Sequence, residues 1–281
     1  MNNNFLLDEN KINELKSVAK NMRLNMLEMM KNAGANGAHI GGAYSACEVL
    51  ACLYKGLLNV NPAIPLDPNR DRFILSKGHV ALALYSALYE AGFITKEELF
   101  SFEENESHFG THCSKYIEKG IELSSGSLGL GLSYGCGCAY MGKINKQSYD
   151  TVVLVGDGEC NEGSVWEAVQ SCAKFKLDNL ILVIDINKQC LDGFTENVMS
   201  IYDFDTIFKG FGWNVKSING NNVKEVCEAF TSIERNNKPT VILSHTLKGF
   251  GLSLTENKTG WHHASLTQEQ YDQAKAELEA K

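Results

Sequence analysis

The stretch from Thr151 to Asn187 constrains this chain more than any other. TVVLV is a run of five apolar or β-branched residues, followed at once by Gly156-Asp157-Gly158. A helix-like run separates it from a second apolar segment, NLILVID, which stops at Asn187. Unbroken apolar runs of this length read as strands buried on both faces, and strand, helix, strand in that order makes a βαβ unit of a parallel sheet. Ligands of such sheets bind beyond the carboxyl ends of the strands. Asp157 and Asn187 both stand at such ends, so the fold can join residues thirty positions apart (187 − 157). A carboxylate and an amide oxygen are hard ligands suited to Mg²⁺ or Ca²⁺, with a phosphorylated ligand supplying further oxygens. Gly156 and Gly158 let the backbone approach phosphates, and the following helix is expected to point free N–H groups at them. Taken alone, GDG also reads as a plain tight turn after a strand.

The rest of the chain extends this pattern. Ile12, Leu15, Val18, Met22 and Met26 recur at helical spacing and predict an amphipathic helix over residues 9–33. AGANGAHIGGAYSACEVLACLYKGLL is a Gly-rich turn holding His39, then an apolar helix. DRFILSKGH sets a short strand, FILS, before Lys77-Gly78-His79. Residues 101–124 are polar and irregular and contain His108 and His112, and ELSSGSLGLGLSYGCGCAYMGK then enters a helix of small residues. FTENVMSIYDFDTIFKGFGWNV reads as loop, helix and strand, VKEVCEAFTSIERN as a helix, and PTVILSH as one more buried strand ending at His245. No linker or repeat divides the chain, so a single domain over 1–281 is expected: α/β, a mostly parallel sheet with helices on both faces.

A net charge of −8 argues against a general nucleic-acid binder. The first residues have neither a basic n-region nor an apolar h-region, and no apolar run reaches membrane-spanning length. Nine cysteines without a disulfide-like spacing fit a reducing compartment, so a cytoplasmic enzyme is expected. Cys136 and Cys138 read as small-residue packing and Cys160 as structural.

GDG, an Asn about thirty residues on after an apolar strand, HIGGAYS, DRFILSKGH, GSLGLGL and the late KGFGLSLTENKTGWHH occur here in the order found in the transketolase family, which the chain resembles from about residue 10 to 280. The resemblance is to the diphosphate-binding half, in the short form encoded as a separate N-terminal subunit. It implies thiamine diphosphate as cofactor, with Mg²⁺ (or Ca²⁺) held by Asp157, the Asn187 side chain and the Gln189 carbonyl. Gly126, Leu128, Gly156, Asp157, Gly158, Glu159, Asn187 and His79 become the cofactor residues. His39, His79 and His262 become candidates for relaying protons to sugar oxygens, and His112 for binding a ketose hydroxyl. Lys248 would meet a phosphate or be solvated. The chain departs from the family pattern at Ala38, Val80, Leu130 and His263. Val80 is expected to narrow the pocket, Leu130 to remove a polar group from its neighbourhood, and only one of His262 and His263 to face the site.

The implied reaction carries a two-carbon ketol unit, as a cofactor adduct, from a ketose (phosphorylated in the usual case) to an aldose. The family's activating glutamate and its main substrate-phosphate residues lie in a second, pyrimidine-binding half. The resemblance therefore implies a partner, the C-terminal transketolase subunit, in an α2β2 assembly, with Glu162 and Glu167 either at an interface or solvated. Three other readings stay open: another thiamine-dependent enzyme, such as a 2-oxoacid dehydrogenase α subunit or a deoxyxylulose phosphate synthase-like protein; a transketolase-like synthase for unusual or nucleotide-linked sugars; and a non-catalytic subunit that keeps the cofactor fold.

Overall fold

In the computed structural model, which describes residues 1–2, 4–199 and 203–281, five strands form one sheet. They are β1 (Arg72–Leu75), β2 (Thr151–Gly156), β3 (Leu180–Ile186), β4 (Asn214–Asn219) and β5 (Thr240–His245), in the order β1-β2-β3-β5-β4. Every pairing is parallel, with Thr151 opposite Leu180 and Ile181 opposite Thr240. The apolar runs explain why. Alternate side chains of one strand enter opposite layers, so a strand covered on both faces must be apolar throughout. Val152, Leu154, Ile181, Val183 and Ile242 join one core, while Val153, Val155, Leu182, Ile184 and Val241 join the other.

The first core is closed by α1 (Glu9–Ala33), α3 (Cys47–Cys52), α4 (Ala81–Ala91) and α10 (Val223–Thr231). The second is closed by α6 (Gly131–Ile144), α7 (Gly163–Lys174) and α9 (Phe204–Gly210). All five residues predicted to form the apolar stripe of α1 are buried, each contributing about 1.5–3 kcal/mol of burial for a large aliphatic side chain. Asp8 starts this helix by accepting from Lys11 N at 2.7 Å. The shorter elements are α2 (Ile40–Ser45), α5 (Lys96–Phe100), α8 (Thr195–Val198) and α11 (Gln268–Glu279). The predicted single helix after His39 is broken at Ala46 into α2 and α3 and ends in a π turn, Leu53–Leu57. Of the expected loop, helix and strand after Gly193, Ser200, Ile201 and Tyr202 lie outside the described residues; α8, α9 and β4 account for the rest. No described helix is long and apolar enough to cross a membrane.

Two features aim the chain at the carboxyl edge of the sheet. β3 is central, and β5 inserts between it and β4, so the chain order reverses beside β3 and leaves a crevice there. Arg23, reaching from α1, donates through Nε to Phe250 O at 2.9 Å and through Nη2 to Tyr44 O at 3.2 Å, and it pairs with Glu48. That buried guanidinium ties the segment after β5 to the one after His39.

Candidate functional site

The loops leaving β1, β2, β3 and β5 converge on one cavity of about 360 Å³. Lys77 and His79 follow β1, Asp157 and Glu159 follow β2, Asn187 and Gln189 follow β3, and Lys248 follows β5. His39, His112, Gly126, Leu128 and His262 complete the wall. Two glycines are required by close backbone approach. A Cβ on Gly78 would sit 2.5 Å from Ser125 O, so the KGH turn and the loop before α6 come this close because position 78 carries no side chain. Gly37, at φ 64, would place a Cβ 2.5 Å from Ala264 O, where Ala38 and Ala264 exchange both backbone hydrogen bonds. That bridge brings His262 and His263 against His39.

The floor is a buried polar network centred on Asp185, the penultimate residue of β3. Its Oδ2 accepts from Lys77 Nζ at 2.5 Å, Ser45 Oγ at 2.6 Å and Asn187 Nδ2 at 2.9 Å, and its Oδ1 accepts from Thr246 Oγ1. Burial opposes the charge, but the Lys77 ammonium and these donors hold the carboxyl below its ordinary value. With its nitrogen committed to Asp185, Asn187 has its oxygen facing the other way, where it accepts from Gln189 N at 3.1 Å. Asp157 accepts from Gly158 N at 2.9 Å and Lys188 N at 2.8 Å. Burial, and next the Asp185 charge, push the Asp157 carboxyl up to about 6, so a nearby cation would relieve it. The Glu159 carboxylate is occupied internally, by Ser76 Oγ at 2.5 Å, Gly129 N at 2.8 Å and Gly156 N at 3.1 Å. It braces the turn before α6 against the end of β2.

The opposite wall is basic and imidazole-rich. Lys248 is 1 % exposed and donates to His262 Nδ1 at 2.9 Å and Cys190 O at 3.3 Å. It forms no ion pair among the described residues; burial, then the Lys77 charge, lower it to about 8. His39 is the hub of the histidines: its ring centroid lies 5.3 Å from His79, 5.7 Å from His112, 5.4 Å from His262 and 4.5 Å from His263. His79 and His262 stack at 5.3 Å. Burial is the main cause that lowers His39 to about 3, with His263 next; His79 to about 2, with Lys77 next; and His262 to about 4, with Lys248 next. All three are therefore neutral near pH 7 and can both donate and accept a hydrogen bond.

Several expectations are corrected by this geometry. The helix expected directly after Asp157 starts later. A 3₁₀ turn, Gly158–Asn161, intervenes, α7 begins only at Gly163, and the N–H groups of Gly158, Cys160 and Glu162 are all bonded within the turn. Lys248 is not solvated. Of the adjacent histidines only His262 lines the cavity, as expected, while His263 packs against His39 from beside it, where the Ala38–Ala264 bridge holds the segment. Val80 is wholly buried and lies under the cavity wall, facing Gly42. Leu130, just before α6, is 54 % exposed and does not line the cavity. His108 sits 5.1 Å from Tyr116, apart from the histidine group, and Glu162 and Glu167 are exposed. Sequence reasoning missed Asp185, Ser45, Thr246 and the ion-pairing role of Lys77. Only Lys77 carried a signal, its place in the KGH turn.

A diphosphate and a divalent cation suit this donor set. Among the described residues no group of three His, Cys, Asp or Glu could hold a metal. A carboxylate, an amide oxygen and a backbone carbonyl are instead the partial oxygen set of a hard cation whose remaining ligands come with the substrate or cofactor. Among the described residues, two buried atoms of the wall, His39 Nδ1 and Gln189 Oε1, lack a partner, and Lys248 is a buried cation without a carboxylate.

Residues 15–281 match the family model described as transketolase, thiamine diphosphate binding domain. The chain is 42 % identical over 245 residues to one subunit of the apulose-4-phosphate transketolase of Phocaeicola vulgatus, covering 87 % of each protein. It is 38 % identical over 242 residues to a 6-deoxy-6-sulfo-D-fructose transketolase subunit of a Clostridium species, covering 86 % of this chain and 88 % of that one. Among solved structures, transketolase from Campylobacter jejuni superposes with a TM-score of 0.88 at 28 % identity. That match covers 95 % of this chain but only 43 % of the Campylobacter protein.

Proposed function

The chain belongs to the transketolase family, matching its thiamine diphosphate-binding domain, and we propose that it is the cofactor-anchoring member of a two-subunit transketolase. The observation that carries this is the pairing of Asp157 and Asn187 with Lys248 and three neutral histidines around one cavity. Asp157, the Asn187 oxygen and the Gln189 carbonyl would hold Mg²⁺ or Ca²⁺, and Lys248 the diphosphate. Gly126, Leu128, Gly156, Gly158 and His79 would line the cofactor, with Glu159 keeping their turns in register. Bound thiamine diphosphate supplies the electron sink that lets a ketose carbon–carbon bond break.

The chain's own work is positioning and proton movement. Neutral His39, His79 and His262 donate N–H to oxygens that gain negative charge and accept protons from hydroxyls that lose them. The His39 Nδ1 atom, buried and without a partner among the described residues, is available for such a bond. His112, 5.7 Å from His39, would bind a ketose hydroxyl. An anionic ligand beside Lys248 would raise the depressed pKa values towards the working range.

The donor is a ketose and the acceptor an aldose. The two relatives are named for sugars with an anionic group, a phosphate and a sulfonate, which supports a sugar with a charged far end here. Relatives named as single subunits of transketolases support a partner that is the pyrimidine-binding, C-terminal subunit, in an α2β2 complex. Nine free cysteines support a cytoplasmic location. Residues 1–281 are taken as one domain, since α1 and α11 pack on each other within the same core.

Ketol transfer is to be measured with the chain alone, with the partner, and with partner plus Mg²⁺ and thiamine diphosphate. Activity is expected only in the last case, and robust transfer by the chain alone would refute the two-subunit reading. Titration calorimetry on the complex should show that Asp157→Ala abolishes Mg²⁺-dependent cofactor binding; unchanged binding would sink the metal assignment.

A further inference from the structure

His263 is a position where the chain departs from the family pattern, and its ring has no place in the cavity wall. Its location is nonetheless fixed. Ala38 and Ala264 exchange hydrogen bonds of 2.8 and 3.2 Å across their antiparallel bridge. One step along that register His39 stands opposite His263, and the side chains of such a non-hydrogen-bonded pair lie closest together on one face. Ala38 and Ala264 turn the other way, into the core. The two imidazoles accordingly meet at 68°, with centroids 4.5 Å apart. Gly37 keeps room for the second ring, since a Cβ there would lie 3.3 Å from His263 Cε1.

The imidazoles differ in what they can reach. His39, His79, His112 and His262 line the cavity, whereas His263 is exposed and does not. A sugar in the cavity covers the side of His39 that faces it and leaves the contact with His263 free. Imidazole is also the side chain that most readily takes up and releases protons near neutral pH.

The proton balance of ketol transfer, the reading on which this inference rests, points the same way. One proton leaves a donor hydroxyl, the first product departs, and only then does the acceptor oxygen require a proton. Burial, and next His263, hold His39 to about 3, so a proton received there near pH 7 does not stay through that interval.

We propose that His263 is the outer half of a two-imidazole relay that passes protons between His39 and bulk water. As the donor's carbon–carbon bond breaks, its electron pair passes to the cofactor's electron sink. The O–H pair of the adjacent hydroxyl becomes the second bond of the new carbonyl, and the proton goes to one ring nitrogen of His39. The other ring nitrogen gives its proton to His263, directly or through one water. His263 releases a proton to solvent, and both rings end neutral. The acceptor half runs the same transfers in reverse, as a carbonyl oxygen becomes a hydroxyl. His263 acts only through His39 and meets neither sugar nor cofactor.

The test uses the two-subunit complex with Mg²⁺ and thiamine diphosphate, assayed for ketol transfer in a dilute, bulky buffer. His263→Phe keeps a ring beside His39 that carries no proton. Its kcat should fall roughly 10- to 100-fold, at or below the low end of what positioned proton transfer contributes, with the KM of both sugars unchanged. His263→Gly should also be slow, and added free imidazole should restore it in a saturable way. His263→Phe, with that space filled, should not respond to imidazole. Calorimetric affinity for thiamine diphosphate should match the parent in both variants. Variants as fast as the parent, a defect in KM alone, a lost cofactor affinity, or a His263→Gly rate that imidazole leaves unchanged would each overturn the relay and leave the ketol-transfer reading standing. A parent complex without ketol transfer would overturn that reading and the relay with it.

Discussion

Replacing Lys248 by methionine should stabilise the empty chain and weaken cofactor binding. The ammonium is 1 % exposed and lowered from 10.5 to about 8, first by burial and then by Lys77. At about 1.4 kcal/mol per pKa unit, keeping it charged costs the fold roughly 3 kcal/mol. Methionine matches its length without the charge, but it forfeits the bonds to His262 Nδ1 and Cys190 O, each worth about 1 kcal/mol. The net gain at pH 7 is therefore about 1–2 kcal/mol, read from urea unfolding. The folded pKa lies below the unfolded one, so the penalty is complete below about pH 8 and fades as the pH rises from there towards 10.5. The gap between variant and parent should close over that window. The same ammonium would offer a diphosphate a charge-assisted hydrogen bond worth about 1.5–3 kcal/mol, so thiamine diphosphate affinity in the complex should fall roughly 10- to 100-fold. A variant less stable than the parent at pH 7, or one with undiminished affinity, would refute this account of Lys248.

Asp185→Ala leaves Lys77, 2 % exposed, without its counter-charge, and should cost about 3–5 kcal/mol in urea unfolding; a loss below about 1 kcal/mol would contradict the buried network. Because Asp157 is raised to about 6 by burial and Asp185, protons compete with the cation below that pH. Mg²⁺ affinity should fall by about tenfold per unit as the pH drops below 6, and a flat calorimetric profile from pH 7 to 5 would exclude Asp157 as a ligand. His263→Gly removes the ring 4.5 Å from His39 and admits solvent. Both main causes of the depressed His39 value then weaken, so its pKa should rise from about 3 in an NMR titration of the histidine rings; an unmoved value would show that His263 does not shape that environment.

The parallel sheet was legible because a strand buried on two faces has to be apolar at every position, and TVVLV and LILVI satisfy that without help from elsewhere. The ends of those strands were equally legible, and with them Asp157 and Asn187, since an apolar run stops where a polar turn begins. The turns holding His39, His79 and Gly126 were marked by glycine, whose presence reflects close backbone contact, as Gly78 against Ser125 shows.

Pairwise proximity of side chains from distant segments was not legible. Asp185 reads in sequence as the tail of an apolar strand, yet Lys77, Ser45 and Thr246 turn it into the floor of the cavity. Lys248 resembled any surface lysine until Arg23 drew its segment inward. Leu130 and Val80, close in sequence to site residues, do not line the cavity because a helix or turn sends successive side chains in different directions. By itself the sequence determined which segments are strands, where they stop and which chemical groups stand at the stops. Tertiary structure alone decided which of those groups are buried, paired or neutral, because burial and charge partners are properties of the space between segments and not of any one of them.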